Sequence, residues 1–220
     1  MKRKRFFLRI AITCTLLATL SLAVSIEGLG RQLQKGALEP DNANEARLNR
    51  LQPPTQIMDA IGVKPGMVVA EIGAGRGRYV MHLADRVGQG GMVYAEDINP
   101  LSLAHLKQRC KRWGIKNVRI ILGAVADPKL PRNRIDLIFI ISSYHHFADP
   151  VSLLKRARVS LKSSGILAIA EWLPRNAQDT HYNTPEKMAA EMKAAGYRLV
   201  RIETFLKKNN LYIYIFRPDN

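Results

Sequence analysis

Cysteine is nearly absent from these 220 residues, which hold two, Cys14 and Cys110. Cys14 lies in the N-terminal apolar run, so the rest of the chain has one thiol. That excludes an intramolecular disulfide and any cysteine-rich metal centre. Acidic residues are also scarce, 18 against 34 basic, for a net charge of +16. Lys2, Arg3, Lys4, Arg5 and Arg9 sit at the extreme N-terminus, leaving 29 basic and 18 acidic residues beyond it. Aromatic residues make up only 7% and do not interleave with the basic clusters "KQRCKRWGIKNVR", "RNR" and "KRAR" as in a basic-aromatic nucleic-acid module. Lys107 and Lys111 stand one helical turn apart, opposite an apolar stripe, as solvated residues do. A nucleic-acid partner is therefore disfavoured. Internal repeats and low-complexity tracts are missing as well.

Long apolar runs are lacking too, with one exception. "IAITCTLLATLSLAVSI", residues 10–26, follows the basic "MKRKRFFLR" and carries no charge over 17 residues. It is long for a secretory core and slightly short for a span of about 20 residues. Residues 1–27 therefore read as a signal peptide or N-terminal membrane anchor, with Ala23-Val24-Ser25 offering a small-x-small cleavage pattern. The flanking positive charges orient the N-terminus inward, which places the domain outside the cytoplasm or on the membrane; a cytoplasmic location is the alternative. Residues 28–51 are polar, with Gly28, Gly30, Gly36 and Pro40, and read as a linker containing at most a short helix in "NEARLNRL". The domain proper is expected over 52–220.

Strand and helix patterns alternate from Val63. "MVVAEI" (67–72) is a short apolar run suited to a strand buried on both faces. Val80, Leu83, Ala84 and Val87 follow at helical spacing, then "MVYAED", then a helix capped by Asn99-Pro100. "NVRIIL", "RIDLIFIIS" and "ILAIAEW" are further strands, with a helix expected over 149–162 before the last of them. After a helix in "TPEKMAAEMKAAG", the strands "YRLVRIETF" and "LYIYIF" are joined by only "LKKNN" and must run antiparallel. The reading is α/β: five parallel strands with crossover helices and a closing antiparallel hairpin, a doubly wound sheet.

The chemistry concentrates in "AEIGAGRGRYV", residues 70–80, where glycines fall at 73, 75 and 77. A nicotinamide fingerprint needs a small residue at the position Arg78 holds, which disfavours a nicotinamide oxidoreductase. Glu71 would repel a diphosphate but suits a sulfonium and an ammonium. Asp97, 24 residues past Gly73, ends the second strand, where a carboxylate can accept from both ribose hydroxyls.

The motif and the strand pattern resemble the class I S-adenosylmethionine-dependent methyltransferases over about residues 52–216. The family's (D/E)-x-G-x-G-x-G is complete in Glu71, Gly73, Gly75 and Gly77. The resemblance implies a Rossmann-like seven-stranded sheet of order 3-2-1-4-5-7-6, mostly parallel with one antiparallel strand. It implies S-adenosyl-L-methionine held by Glu71, Gly73, Ala74, Gly75, Gly77 and Asp97, with Ile98 against the adenine. Asp127, in "GAVADPKLP", is a further candidate, since the position after Gly123 where the family often has an acid is Ala124. "ISSYHHFADP" closes the fourth strand where the family places residues near the transferred methyl, so Tyr144, His145 and His146 are the candidate bases. Glu171, Trp172 and His181 are candidates for the acceptor pocket. No metal is expected, because adjacent histidines diverge and no ligand spacing supports a site.

Within the superfamily the sequence looks most like small bacterial enzymes acting on small molecules, which implies a small-molecule acceptor and a monomer or weak dimer. The alternatives are a nucleoside-binding protein without turnover and an RNA methyltransferase.

Overall fold

The computed structural model describes residues 36–176 and 178–219. It divides into two compact units, Met1–Glu39 and Pro40–Asn220. Only 36–39 of the first are described, so the signal or anchor reading of 1–27 lies outside the described residues. No helix among the described residues is long and apolar enough to cross a membrane.

The second unit is built on seven strands: β1 Val68–Ile72, β2 Met92–Asp97, β3 Val118–Leu122, β4 Ile135–Ile141, β5 Leu161–Trp172, β6 Tyr197–Glu203 and β7 Leu211–Pro218. Their order is β3-β2-β1-β4-β5-β7-β6. Every pairing from β3 to β5 is parallel, while β7 runs antiparallel to both β5 and β6. This is the Rossmann-like arrangement expected from the resemblance, and the short 204–210 connection is the hairpin turn, with Asn210 at φ 57°.

The sheet is buried on both faces, which is why its central strands read as unbroken apolar runs. On one face Ile138, Ile140, Leu167, Ile169 and Phe216 pack with Leu154 of α5 (Pro150–Arg158) and Met188 and Met192 of α6 (Pro185–Ala194). The alternating residues Val69, Leu137 and Phe139 are fully buried on the other. Tyr79 of α3 (Arg78–Val87) meets Phe139 there, ring centroids 5.4 Å apart. α4 (Pro100–Arg112) covers β2 and β3. Burying each such large side chain contributes about 1.5–3 kcal/mol.

Three helix starts, those of α4, α5 and α6, follow a single local rule. A short polar residue followed by proline supplies a cap and then a fixed φ. Asn99 Oδ1 accepts from Leu101 N and Ser102 N at 2.9 and 3.2 Å, Asp149 Oδ1 from Ser152 N at 3.0 Å, and Thr184 Oγ1 from Lys187 N at 3.2 Å.

Two segments differ from the sequence reading. The helix expected over 149–162 stops at Arg158, and β5 starts at Leu161, earlier than expected. The carbonyls of Val159 and Ser160 take the amides of Asn133, Arg134 and Ile135, so the chain is turned there by its neighbour strand. Residues 43–51, read as the end of a linker, form helix α1 (Ala43–Leu51) within the second unit, followed by α2 (Pro54–Ala60). Asn42 caps α1 by accepting from Glu45 N at 2.9 Å, and Glu45 Oε2 accepts from Asp41 N at 2.9 Å, close to a capping box. Glu45 then pairs with Arg109 of α4 at 3.0 and 3.1 Å, both side chains almost fully buried. A buried pair of this kind fixes position, because breaking it strands a charge.

Candidate active site

Between β1 and β4 the strand order reverses direction, the point at which open α/β sheets bind ligands beyond their strand ends. A cavity of about 370 Å³ opens there, lined by Ile72 and Gly73, by Glu96, Asp97 and Ile98, by Ala124 and Val125, and by Ser142, Ser143, His146 and Phe147.

The glycine loop forms one wall. Gly73 and Ala74 both donate their amides to the Glu96 carbonyl, at 3.0 and 2.8 Å, stitching the loop to β2. A side chain at Gly73 would put its Cβ 2.6 Å from Ser143 Oγ. At Gly77, which has φ +88° and opens α3, it would meet Leu106 Cδ1 at 2.3 Å. Gly75 differs, with nothing within 4 Å of where a Cβ would stand. Its amide donates to Asp97 Oδ2 at 2.7 Å, while Asp97 Oδ1 accepts from Asn99 N at 2.8 Å. Each Asp97 oxygen thus keeps a lone pair for a hydroxyl of a ligand. Ile98 lies half-exposed at the rim.

Glu71 is buried, and among the described residues its Oε2 has no hydrogen-bond partner. Burial, reinforced by the Asp97 charge and opposed by Arg78, pushes its carboxyl from 4.5 up to about 8. Glu96, which the sequence reading passed over, is likewise buried and is raised to about 8 by burial and by its neighbour Asp97. For both groups the fold favours the protonated form. Their contribution to stability is fully present below pH 4.5 and is lost as pH rises toward 8.

The "YHH" turn divides. His146 lines the 370 Å³ cavity, and burial together with His145 and His181 lowers its pKa. His145 lines a second cavity of about 340 Å³, with Trp172, Arg175, Tyr182, Asn209 and Asn210, and with Arg47, Leu48 and Leu51 of α1. Ser142 borders both cavities and has φ +51°. Its hydroxyl accepts from Gln52 Nε2, while Gln52 Oε1 accepts from Arg78, so one buried amide joins the first helical residue after the glycine loop to the end of β4. Behind His145 sits the fully buried Glu171, whose Oε2 lies 2.9 Å from His145 Nδ1. The same carboxylate accepts from His145 N at 3.2 Å and Trp172 N at 2.9 Å. In the neutral ring this places the proton on Nδ1 and leaves Nε2 as an acceptor. His181 and Tyr182 pack on His145, centroids 4.7 and 4.9 Å away.

Two sequence candidates are not at the site. Tyr144 is fully buried toward α6, donating to Glu191 Oε2 at 2.5 Å; burial and that bond raise its pKa, so the phenol is no base at neutral pH. Asp127 closes a tight turn with Ala124 and accepts from Lys129 N at 2.9 Å. It borders a different groove, beside Arg156 at 4.0 Å. Ala124 and Val125 supply the cavity wall in its place. Ala74 and Gly77 are buried and shape the loop from behind.

Residues 63–216 match the family model described as methyltransferase domain. The chain belongs to that family. Its members take S-adenosylmethionine as methyl donor, and the residues present fit it. Glu71 offers an orphaned buried acceptor for an ammonium, Asp97 two oxygens for a ribose, and Gly75 a backbone with open space before it. Among relatives, the chain is 29% identical over 120 residues to nocamycin O-methyltransferase of Saccharothrix syringae, covering 54% of this chain and 42% of that one. It is 28% identical over 138 residues to the tRNA (adenine(58)-N(1))-methyltransferase of Thermus thermophilus, covering 60% and 51%. The chain thus spans about half the length of these curated relatives. A SAM-dependent methyltransferase structure from Aquifex aeolicus superposes with TM-score 0.71 at 24% identity, over 81% of this chain and 98% of that one, a likeness of fold.

If Glu71 meets the ligand's ammonium, it must ionise to do so. Affinity for S-adenosylhomocysteine is therefore expected to rise about tenfold from pH 6 to pH 7, below the raised pKa of about 8. Calorimetry at the two pH values reads this directly, and Glu71→Gln should flatten the slope. A slope that survives the substitution removes Glu71 from the contact.

Proposed function

We propose that the protein methylates a small-molecule acceptor bound in the 340 Å³ cavity, with the nucleoside cofactor in the 370 Å³ cavity across Ser142. When bound, S-adenosylmethionine supplies a methyl carbon on a cationic sulfur and leaves as the neutral thioether. The chain's own work is then to position, to exclude water and to take a proton.

Asp97 holds the nucleoside end, the side-chain-free glycine loop lets it approach, and Ile98 covers it. Gln52 sets the Ser142 hydroxyl at the border between donor and acceptor. His145 accepts the proton of the attacking oxygen or nitrogen at Nε2, and Glu171 holds the ring and balances the charge it gains. This reading is supported above all by the His145–Glu171 pair, a buried carboxylate and an imidazole 2.9 Å apart, in a ring that borders the second cavity. The name of the nocamycin enzyme agrees with a small acceptor, whereas that of the Thermus enzyme points to tRNA. The small volume of the second cavity favours the former.

Titration of the full chain with S-adenosylhomocysteine, followed by methyl transfer to a panel of small phenols, acids and amines, tests the reading. Asp97→Ala should weaken cofactor product at least tenfold, since charge-assisted hydrogen bonds contribute roughly 1.5–3 kcal/mol each. Binding without turnover of any small acceptor, together with methylation of RNA that weakens steeply with salt, would count against it.

A further inference from the structure

The second cavity has a one-sided charge. Arg47 and Arg175 line it, and no aspartate or glutamate does. Arg47 donates to the Asn44 side chain at 3.3 Å, and among the described residues neither guanidinium lies within ion-pair distance of a carboxylate. The nearby Asp179 is occupied by backbone, accepting from the amides of Arg175 and His181 at 3.0 and 3.1 Å.

The two asparagines of the chamber are also committed. Asn209 Nδ2 donates to the Leu51 carbonyl at 2.9 Å, and Asn210 Nδ2 to the Leu173 carbonyl at 2.6 Å. The charged donors left over are the two arginines, whose planar forks match a carboxylate.

The remaining walls are flat or apolar. Trp172 and Tyr182 meet edge to face at 6.4 Å between centroids, and Leu48 and Leu51 close the α1 side. At about 340 Å³ the space stands at the small end of ligand pockets, enough for one ring and its substituents.

We infer that the acceptor is an aromatic acid, its ring against Trp172 and Tyr182 and its carboxylate paired with Arg47 and Arg175. The inference rests on reading this cavity as the acceptor site. A cationic amine would face two arginines with no carboxylate at ion-pair distance among the described residues, and a neutral phenol would give neither a counter-ion.

The test uses the full chain saturated with S-adenosylhomocysteine, whose binding is measured first. Calorimetry then compares the three hydroxybenzoate isomers with their neutral hydroxybenzamides and with tyramine. At least one hydroxybenzoate should bind ten times more tightly than its amide, and tyramine should bind weakest. Arg47→Gln and Arg175→Gln, both at exposed positions, should each remove most of that preference without altering S-adenosylhomocysteine affinity. Together they should abolish it.

Equal binding of acid and amide by every isomer overturns the inference, as does a preference that survives the double substitution. So does a short RNA that binds in an arginine-dependent manner where none of the hydroxybenzoates does. Failure of S-adenosylhomocysteine itself to bind sinks the underlying reading of the two cavities, a result distinct from failure of the acid alone.

Discussion

Glu171→Gln is expected to lower kcat by about 100-fold or more, within the 10²–10⁴ range typical of positioned acid–base groups. The reason lies in how fully the carboxylate is used. Both of its oxygens accept backbone amides, and Oε2 also meets His145 Nδ1. A glutamine must point its NH₂ at one of these donors, so either the backbone contact or the imidazole is displaced. Because Glu171 acts through His145, the diagnostic measurement is a split between steps: kcat should fall while affinity for S-adenosylhomocysteine and the KM of the acceptor stay the same. His145→Gln should give a similar loss. If both variants keep parental kcat, the pair is structural and proton removal falls to solvent.

The second large effect is on stability. Gly77→Ala should destabilise the domain by about 2–5 kcal/mol. Left-handed backbone at φ +88° costs an alanine roughly 1–2 kcal/mol. The contact of its Cβ with Leu106 adds about 1–3 kcal/mol, because Leu106 is fully buried and has nowhere to retreat. For a domain of this size, thermal melting should fall by about 5–15 °C. Gly75→Ala separates folding from binding. Its φ of +54° carries the backbone cost alone, and its open surroundings mean the larger loss appears in cofactor affinity. Equal melting temperatures for the parent and Gly77→Ala would show that Leu106 can move after all.

What could be read in advance divides along the range of the interactions. The Glu71–Gly77 turn and the Asn-Pro, Asp-Pro and Thr-Pro helix starts are written within four to seven consecutive residues, and local chemistry is enough to find them. The sheet order followed from resemblance. The His145–Glu171 pair was only half visible: both residues were singled out, but a sequence separation of 26 hid that they touch. Tyr144 illustrates the opposite error. In a single turn of 3-10 helix, adjacent side chains point apart, so one member of "YHH" enters the core while the other two border cavities. Asp127 was displaced by a turn whose hydrogen bonds all lie within six residues, yet whose outcome depends on which side chain faces the sheet. The basic residues Arg47 and Arg175 gave no sign at all, since an arginine that lines a chamber and one that faces solvent look alike in a polar stretch. Glu96 was overlooked because Asp97 beside it already satisfied the expected role.

Helix α1 makes the unit larger than its family match. Expression boundaries drawn at residue 63, where that match begins, would retain the nucleoside cradle but discard Arg47, Leu48, Leu51 and Gln52. Arg109 would also lose its carboxylate and face solvent through a hole. On the two-cavity reading proposed above, such a fragment would be half an enzyme, competent to grip the donor and unable to tell one acceptor from another. Those who truncate this chain for crystallisation or engineering should begin no later than Asp41, ahead of the Asn42 cap.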